Sequence, residues 1–257
     1  MQGNDTGTRA ALEIQGASKT FVSESGEEVR ALEGLDLVVH SGDLAVLIGP
    51  TGCGKTTLLN IVAGLDGPDA GTLRLSEELR PGDNVPCVFQ HYTLFPWRTL
   101  LRNVAFGLEM RHVPRRTRLQ EARGLLAEVG LAGFKRAYPH ELSGGMRQRA
   151  AIAQALAIQP RLLLMDEPFG ALDDTTRREL QGLVCRIWQD TRMTILFVTH
   201  NIDEAIVMGE RVFVFSERPG RVVKEVPVDL PRPRDRHSPA FAESFVGLRQ
   251  ALLEAVE

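Results

Sequence analysis

The chain has 257 residues, 43% hydrophobic and 25% charged, enough to bury one large α/β core or two small ones. This make-up excludes disordered, fibrous and disulfide-stapled chains. A formal net charge of −3, from 30 Lys+Arg against 33 Asp+Glu, gives no overall basic excess for wrapping nucleic acid, so no nucleic-acid partner is expected.

Residues 11–39 show short apolar alternation broken by Gly16, by the turn-rich stretch 23–28 and by Gly34, which predicts antiparallel strands. The apolar run 44–48 predicts a buried strand, and residues 55–63 predict a helix stopped by Gly64. Strands are expected at 72–75 and 85–89 and helices at 100–111 and 115–129, so the middle third reads as a mainly helical insertion. Between Arg98 and Arg136 nine basic residues face three acidic ones, a locally positive stretch in an acidic chain. Ser143 followed by Gly144-Gly145 opens a helix that runs through Ile158 and is ended by Pro160. Strands at 162–165 and 195–199 flank a helix from about 175 to 189, and 211–215 with 222–226 close the sheet. Past Pro231-Arg232-Pro233, the residues Phe241, Phe245, Leu248 and Leu252 fall on one helical face.

Cys53, Cys87 and Cys185 have no metal-ligand spacing and read as free thiols of a reducing compartment. Residues 1–11 hold Asp5 and Arg9 and no apolar core, so no secretory signal is expected there. No stretch approaches the roughly 18 uninterrupted apolar residues of a membrane span. If the protein works at a membrane, another chain is expected to hold it there.

The segment Gly49-Pro50-Thr51-Gly52-Cys53-Gly54-Lys55-Thr56 matches the phosphate-loop pattern GxxxxGK[ST] between a predicted strand and a predicted helix. Glycines let backbone N–H groups close on phosphates, the helix N-terminus favours the anion, the lysine supplies mobile charge and the hydroxyl can ligate Mg²⁺. A second strand, 162–165, ends in Asp166-Glu167. Asp166 is placed to reach the Mg²⁺ held by Thr56, and Glu167 to orient and partly deprotonate a water for attack on the γ-phosphate. Ser143 with its two glycines is a further helix N-terminal anion site, so one chain carries two phosphate grips.

With these motifs in place, nearly the whole chain resembles the ATP-binding subunits of ABC transporters. Leu142-Ser143-Gly144-Gly145-Met146 with Arg147-Gln148-Arg149 resembles the ABC signature, which ordinary phosphate-loop NTPases lack. The resemblance implies an α/β fold: a P-loop NTPase (ABC ATPase) core with an N-terminal antiparallel β subdomain and an inserted helical subdomain. It sets the ATPase domain at 11–233, the helical subdomain carrying the signature at about 91–158, and a short C-terminal helical tail at 234–257. It implies ATP as nucleotide, Glu167, His200 and Lys55 as catalytic residues, and Thr56, Gln90 and Asp166 on Mg²⁺. Nucleotide contacts are implied for Phe21, stacking on adenine, for Gly49, Pro50, Thr51, Gly52, Cys53, Gly54, Lys55, Thr56 and Thr57, for Gln90, for Ser143, Gly144 and Gly145, and for Asp173. In this family two such domains pair head to tail, each signature closing over the partner's ATP.

Gln90-His91-Tyr92-Thr93-Leu94-Phe95-Pro96-Trp97, the stretch 165–173 and Arg218-Pro219-Gly220-Arg221 resemble import ATPases of the nitrate, sulfonate and taurine class. That implies a second ATPase subunit, membrane permease subunits, an external solute-binding protein acting indirectly, and a place on the cytoplasmic face of the inner membrane. Phe95 and Trp97 are then expected to anchor the permease, with the surrounding arginines suited to an anionic leaflet. Two residues depart from the commonest family form: Asn201 stands where an aspartate often follows the histidine, and Gln154 where an arginine is common. The rival reading is a soluble ABC-type module that uses ATP to gate binding. The chain has neither the long heptad coiled coil of chromosome-type members nor a second fused cassette.

Overall fold

The computed structural model describes residues 9–23, 25–90, 93–232, 234 and 239–256. His91, Tyr92 and Pro233, on which part of the glutamine-loop match and the expected domain boundaries fall, lie outside the described residues. The chain divides into two units, Met1–Pro81 with Arg192–Glu257, and Gly82–Thr191. In chain order the first unit supplies β1 (Ala10–Val22), β2 (Glu28–His40), β3 (Leu44–Ile48), α1 (Lys55–Val62) and β4 (Ala70–Leu75). The second holds β5 (Cys87–Val88), α2 (Leu100–Val104), α3 (Phe106–Met110), α4 (Arg115–Glu128), α5 (Gly144–Leu156), β6 (Leu162–Asp166) and α6 (Asp174–Thr191). The chain then returns to the first unit with β7 (Thr194–Thr199), α7 (Ile202–Met208), β8 (Arg211–Phe215), β9 (Val222–Pro227) and α8 (Pro239–Val256).

In the first unit the alternation of β1 and β2 turns Leu12, Ile14 and Ala17 and Leu32, Leu35 and Leu37 inward. The strands pair antiparallel with Ile14 level with Leu37, and β4 adds to the free edge of β1. Strand β3 has no polar residue because it has no wet side: it lies parallel between β7 and β8, and all five of its residues are buried. Strand β9 runs antiparallel to β8. Ile48 is level with Thr199 on β7 and with Val214 on β8, so the 49–54 loop leaves the carboxyl ends of the strands, where open α/β sheets bind ligands.

Helix α7 has no counterpart among the sequence expectations. Its N-terminus is capped by Asn201, whose Oδ1 accepts from the Glu204 N–H at 3.1 Å, while the Thr199 hydroxyl donates to the Glu204 carboxylate at 2.7 Å. Its other end is held by Arg234, a side chain only 2% exposed. The guanidinium donates to the carbonyls of Ile206 (2.6 Å), Val207 (3.2 Å), Gly209 and Val228 (3.1 Å) and pairs with Glu210 at 3.2 Å. A helix C-terminus leaves carbonyls without intrahelical donors, and a cation there also suits the dipole. Arg234→Ala is therefore expected to lower the free energy of unfolding by about 2 kcal/mol in a urea titration, and Arg234→Lys to recover only part of it. A loss near zero would mean that water replaces the guanidinium without cost.

The second unit pairs β5 and β6 in parallel, Cys87 with Leu164 and Val88 with Met165. Strand β5 is shorter than the expected 85–89 because Pro86 brings no N–H to a ladder. The expected helix at 100–111 is two helices meeting at Ala105, where ψ rises to −4°. Leu100, Val104 and Leu108 stay buried on both sides of the break, so periodicity alone cannot see it. Buried Asn103 orders the preceding turn: its Oδ1 accepts from the Phe95 N–H at 2.7 Å and its amide donates to the carbonyls of Arg98 and Thr99 at 3.0 and 3.2 Å. Helix α5, rich in buried alanine, ends at Leu156 rather than Ile158.

Candidate nucleotide-binding site

The phosphate loop is shaped by close packing in the first unit. Gly54 has φ 107°, and a Cβ there would lie 2.5 Å from the Ala31 carbonyl oxygen, so only glycine fits before α1. Lys55 opens the helix and is 5% exposed. Its ammonium donates to the carbonyls of Gly49 and Pro50 at 2.7 and 2.8 Å and lies 3.5 Å from the Cys53 sulfur, spanning the loop from within. Thr51, Gly52 and Thr56 are exposed, and Thr57 is half-buried. Leu58, Leu59, Ile61 and Val62 bury the rest of the helix and fix the direction of its N-terminus.

On the neighbouring strand, Thr199 is level with Ile48, so the exposed His200 stands beside the start of the loop. The corner is fixed by the Asn201 N–H donating to the Thr199 hydroxyl at 3.0 Å. Phe21, half-exposed on β1, has the Lys19 ammonium 5.5 Å from its ring centre. Lys19 is itself held by Asp66 at 2.7 Å and Asp69 at 3.3 Å, and these carboxylates raise its pKa above the usual lysine value.

The second unit holds the acidic half of the predicted set. Asp166 ends β6 and is buried, while Glu167 turns off the strand with φ 43°. A left-handed backbone at a residue other than glycine costs about 1 kcal/mol or more and recurs at functional corners. Gln90 comes back to the same corner: a Cβ on Gly170 would lie 3.7 Å from Gln90 Nε2 and 3.9 Å from Glu167 Oε2. Cys87, next to this corner, has its thiol pushed up to about 12, first by burial and then by the charge of Asp166. The thiol therefore stays neutral beside the Asp166 carboxyl.

Ser143 caps α5 through its hydroxyl, which accepts from the Met146 N–H at 3.3 Å. Gly145 packs so closely on α6 that a Cβ would lie 2.5 Å from Thr176 Cγ2. The Thr176 N–H in turn donates to Asp173 at 3.0 Å and holds that carboxyl below the usual aspartate range. The signature helix and Asp173 thus meet on one face. Arg177 steadies the 169–174 turn, reaching the Leu172 carbonyl at 2.7 Å and Asp174 at 2.6 Å.

Elsewhere in this unit Trp97, 72% exposed, lines a cavity of about 540 Å³ with Arg98, Arg102, Arg115 and Arg118. Glu109 pairs with Arg98 at 2.7 Å and with Arg118 at 3.7 Å. The two aromatics expected to act together differ: Phe95 is half-buried against Phe106, ring centres 4.6 Å apart, whereas Trp97 points its surface to solvent.

The sequence pattern described as ABC transporter matches residues 32–170. The chain belongs to that family. An uncharacterized ABC transporter ATP-binding protein of Methanocaldococcus jannaschii is 48% identical over 91% of this chain and 88% of its own. A nitrate import ATP-binding protein of Synechocystis is 43% identical over 86% of this chain and 83% of its own. An aliphatic sulfonates import ATP-binding protein of Bacillus licheniformis is 42% identical over 96% and 94%. Among solved structures, a dimeric ATP-binding cassette in a post-hydrolysis state with ADP and phosphate superposes with a TM-score of 0.75, at 30% identity, over 86% of this chain and 100% of that one. The protein is an ABC ATPase.

By donor chemistry each residue predicted to meet Mg²⁺ fits it: the exposed Thr56 hydroxyl in the first unit and, in the second, the Asp166 carboxylate and the Gln90 amide offer hard oxygens, and the neutral Cys87 thiol adds no soft thiolate to the second. No three His, Cys, Asp or Glu side chains gather among the described residues. Mg²⁺ needs no such cage, since it keeps waters and uses one or two carboxylates together with nucleotide phosphates. Of the two departures from the family form, Asn201 caps α7 as an aspartate would, and Gln154 lines a small cleft with Phe95, Phe106 and Ile158. The sequence reading missed two contacts of this ABC ATPase's loop, those of Arg218 and Gly220, although Arg218-Pro219-Gly220 was visible as a turn signal.

Proposed function

We propose that this ABC ATPase is the nucleotide-binding subunit of an importer for nitrate, a sulfonate, taurine or a similar small anion. It works as a head-to-tail pair of cassettes bound to permease subunits at the cytoplasmic face of the inner membrane, with an external binding protein delivering the solute. The observation that carries this reading is the second anion grip. Ser143 caps a helix of its own in the second unit, whereas the Gly49–Thr57 loop belongs to the first, so each unit carries a helix N-terminus for an anion, as a chain needs if it closes over a partner's nucleotide.

In this reading Lys55 and the loop N–H groups hold the β- and γ-phosphates, and Phe21 stacks on the base. Thr56, Asp166 and Gln90 would hold Mg²⁺, which neutralises phosphate charge when bound. Glu167 takes the proton of the attacking water, and His200 hydrogen-bonds the γ-phosphate. Asp173 and Ser143 act across the pair. ATP binding closes the pair, hydrolysis releases it, and the permease follows.

Trp97 tests the coupling to a membrane partner, because its ring is 72% exposed and, although it lies 5.6 Å from the Phe95 ring, Phe95 keeps its closer neighbour Phe106 at 4.6 Å when Trp97 is truncated. Tagged chain purified from native membranes should bring down a multi-span permease. Trp97→Ala should weaken that association by about 2 kcal/mol, roughly thirtyfold, with ATPase activity of the free subunit kept. Undiminished co-purification would remove Trp97 from the interface, and absence of any multi-span partner with the wild type would favour a soluble role.

A further inference from the structure

The turn between β8 and β9 grips the phosphate loop. Arg218 donates to one acceptor, the Gly52 carbonyl, through Nε at 3.0 Å and Nη2 at 2.9 Å. Gly220 lies so close that a Cβ there would run into the Cys53 carbonyl oxygen. The Gly220 N–H donates to the Ala31 carbonyl at 2.9 Å, and its carbonyl accepts from the Glu33 N–H at 3.3 Å. Arg221 pairs with Glu33, and its N–H donates to the Ser216 hydroxyl at 3.0 Å. The turn is thus fastened to β2, the same strand whose Ala31 carbonyl limits Gly54.

We propose that Arg218 is a positioning residue that sets the phosphate-binding geometry of the loop, held at the right depth by Gly220. A trans peptide is planar, with C=O and N–H on opposite edges. Pulling the Gly52 oxygen toward the guanidinium therefore turns the Cys53 N–H the other way. Within the loop that N–H has only a long contact, 3.4 Å to the Pro50 carbonyl, which leaves it able to serve a phosphate. A cation on the carbonyl also polarises the amide and strengthens its N–H as a donor. The effect belongs to the ground-state grip on phosphate, so it should weaken ATP and ADP binding alike and leave the chemistry at Glu167 untouched. This inference rests on reading Gly49–Thr57 as the phosphate site.

The test uses the full chain, with MgATP and MgADP affinities by calorimetry, steady-state kcat and KM, and the melting temperature. Wild type that binds MgATP while Lys55→Ala does not secures the site independently; equal binding by both would overturn the site reading itself. Arg218→Ala should then raise Kd for both nucleotides and KM for ATP about tenfold, with kcat within about twofold. Arg218→Lys keeps the charge but offers a single donor line and should recover about a third of the loss. Gly220→Ala should reproduce the Arg218→Ala pattern if it folds, and Arg218→Lys carries the test if it does not. Unchanged nucleotide affinity in Arg218→Ala would overturn the proposal. So would a loss of kcat at constant KM, the mark of a smaller folded fraction, or full recovery by lysine, which would reduce Arg218 to a bulk charge.

Discussion

Glu167→Gln is expected to lower kcat for ATP hydrolysis by about a hundredfold or more while MgATP still binds, because the amide keeps the size of the carboxylate and cannot take a proton from water. The side chain sits on a left-handed corner directly after the buried end of β6, with Gln90 at its side, so the substitution should leave the corner's backbone in place. Parallel measurements of hydrolysis rate and of MgATP affinity check this. If ATP bridges the loop of one chain and Ser143 of another, the stalled variant should also hold a dimer, seen as doubled mass by light scattering with MgATP present. Hydrolysis at the wild-type rate would remove Glu167 from the chemistry. A stalled variant that stays monomeric would keep the chemistry and count against an ATP-sealed pair of free subunits.

Lys55→Ala should cost about two orders of magnitude in MgATP affinity and abolish turnover at ordinary nucleotide concentrations, since a charge-assisted contact to phosphate is lost. The ammonium is buried and ties the carbonyls of Gly49 and Pro50 together, so the variant also loosens the loop. Lys55→Arg separates the two effects. It keeps the charge, and its fork is too wide for a loop whose carbonyls both lie within 3 Å of a single nitrogen, so recovery should be poor. Calorimetric titration with MgATP and MgADP reads both variants, and near wild-type affinity in Lys55→Ala would overturn the phosphate-site assignment.

The phosphate loop was legible because its chemistry is local: eight contiguous residues carry the glycines, the lysine and the hydroxyl, and the apolar run before them has only one environment in which it is stable. The signature helix was legible for the same reason, since an N-cap serine acts on an N–H three residues away. The length of β5 and the break at Ala105 were not, because a two-residue ladder and a small change of helical pitch leave the apolar pattern unaltered. Helix α7 is too short for a period to declare itself. Its Asn201 and Glu204, spaced as a capping pair, were the available signal.

Sequence by itself determined what this protein handles, a nucleotide, and which side chains bear the charge, because those demands are met by residue type and near spacing. Tertiary structure alone decided how the groups are aimed. Gln90 meets Glu167 at Gly170 only because β5 lies against β6, and Arg218 reaches Gly52 across 166 positions only because β8 lies against β3. Contacts of that kind depend on which strands become neighbours, a choice made by burial of whole faces, and no local spacing in the chain encodes it.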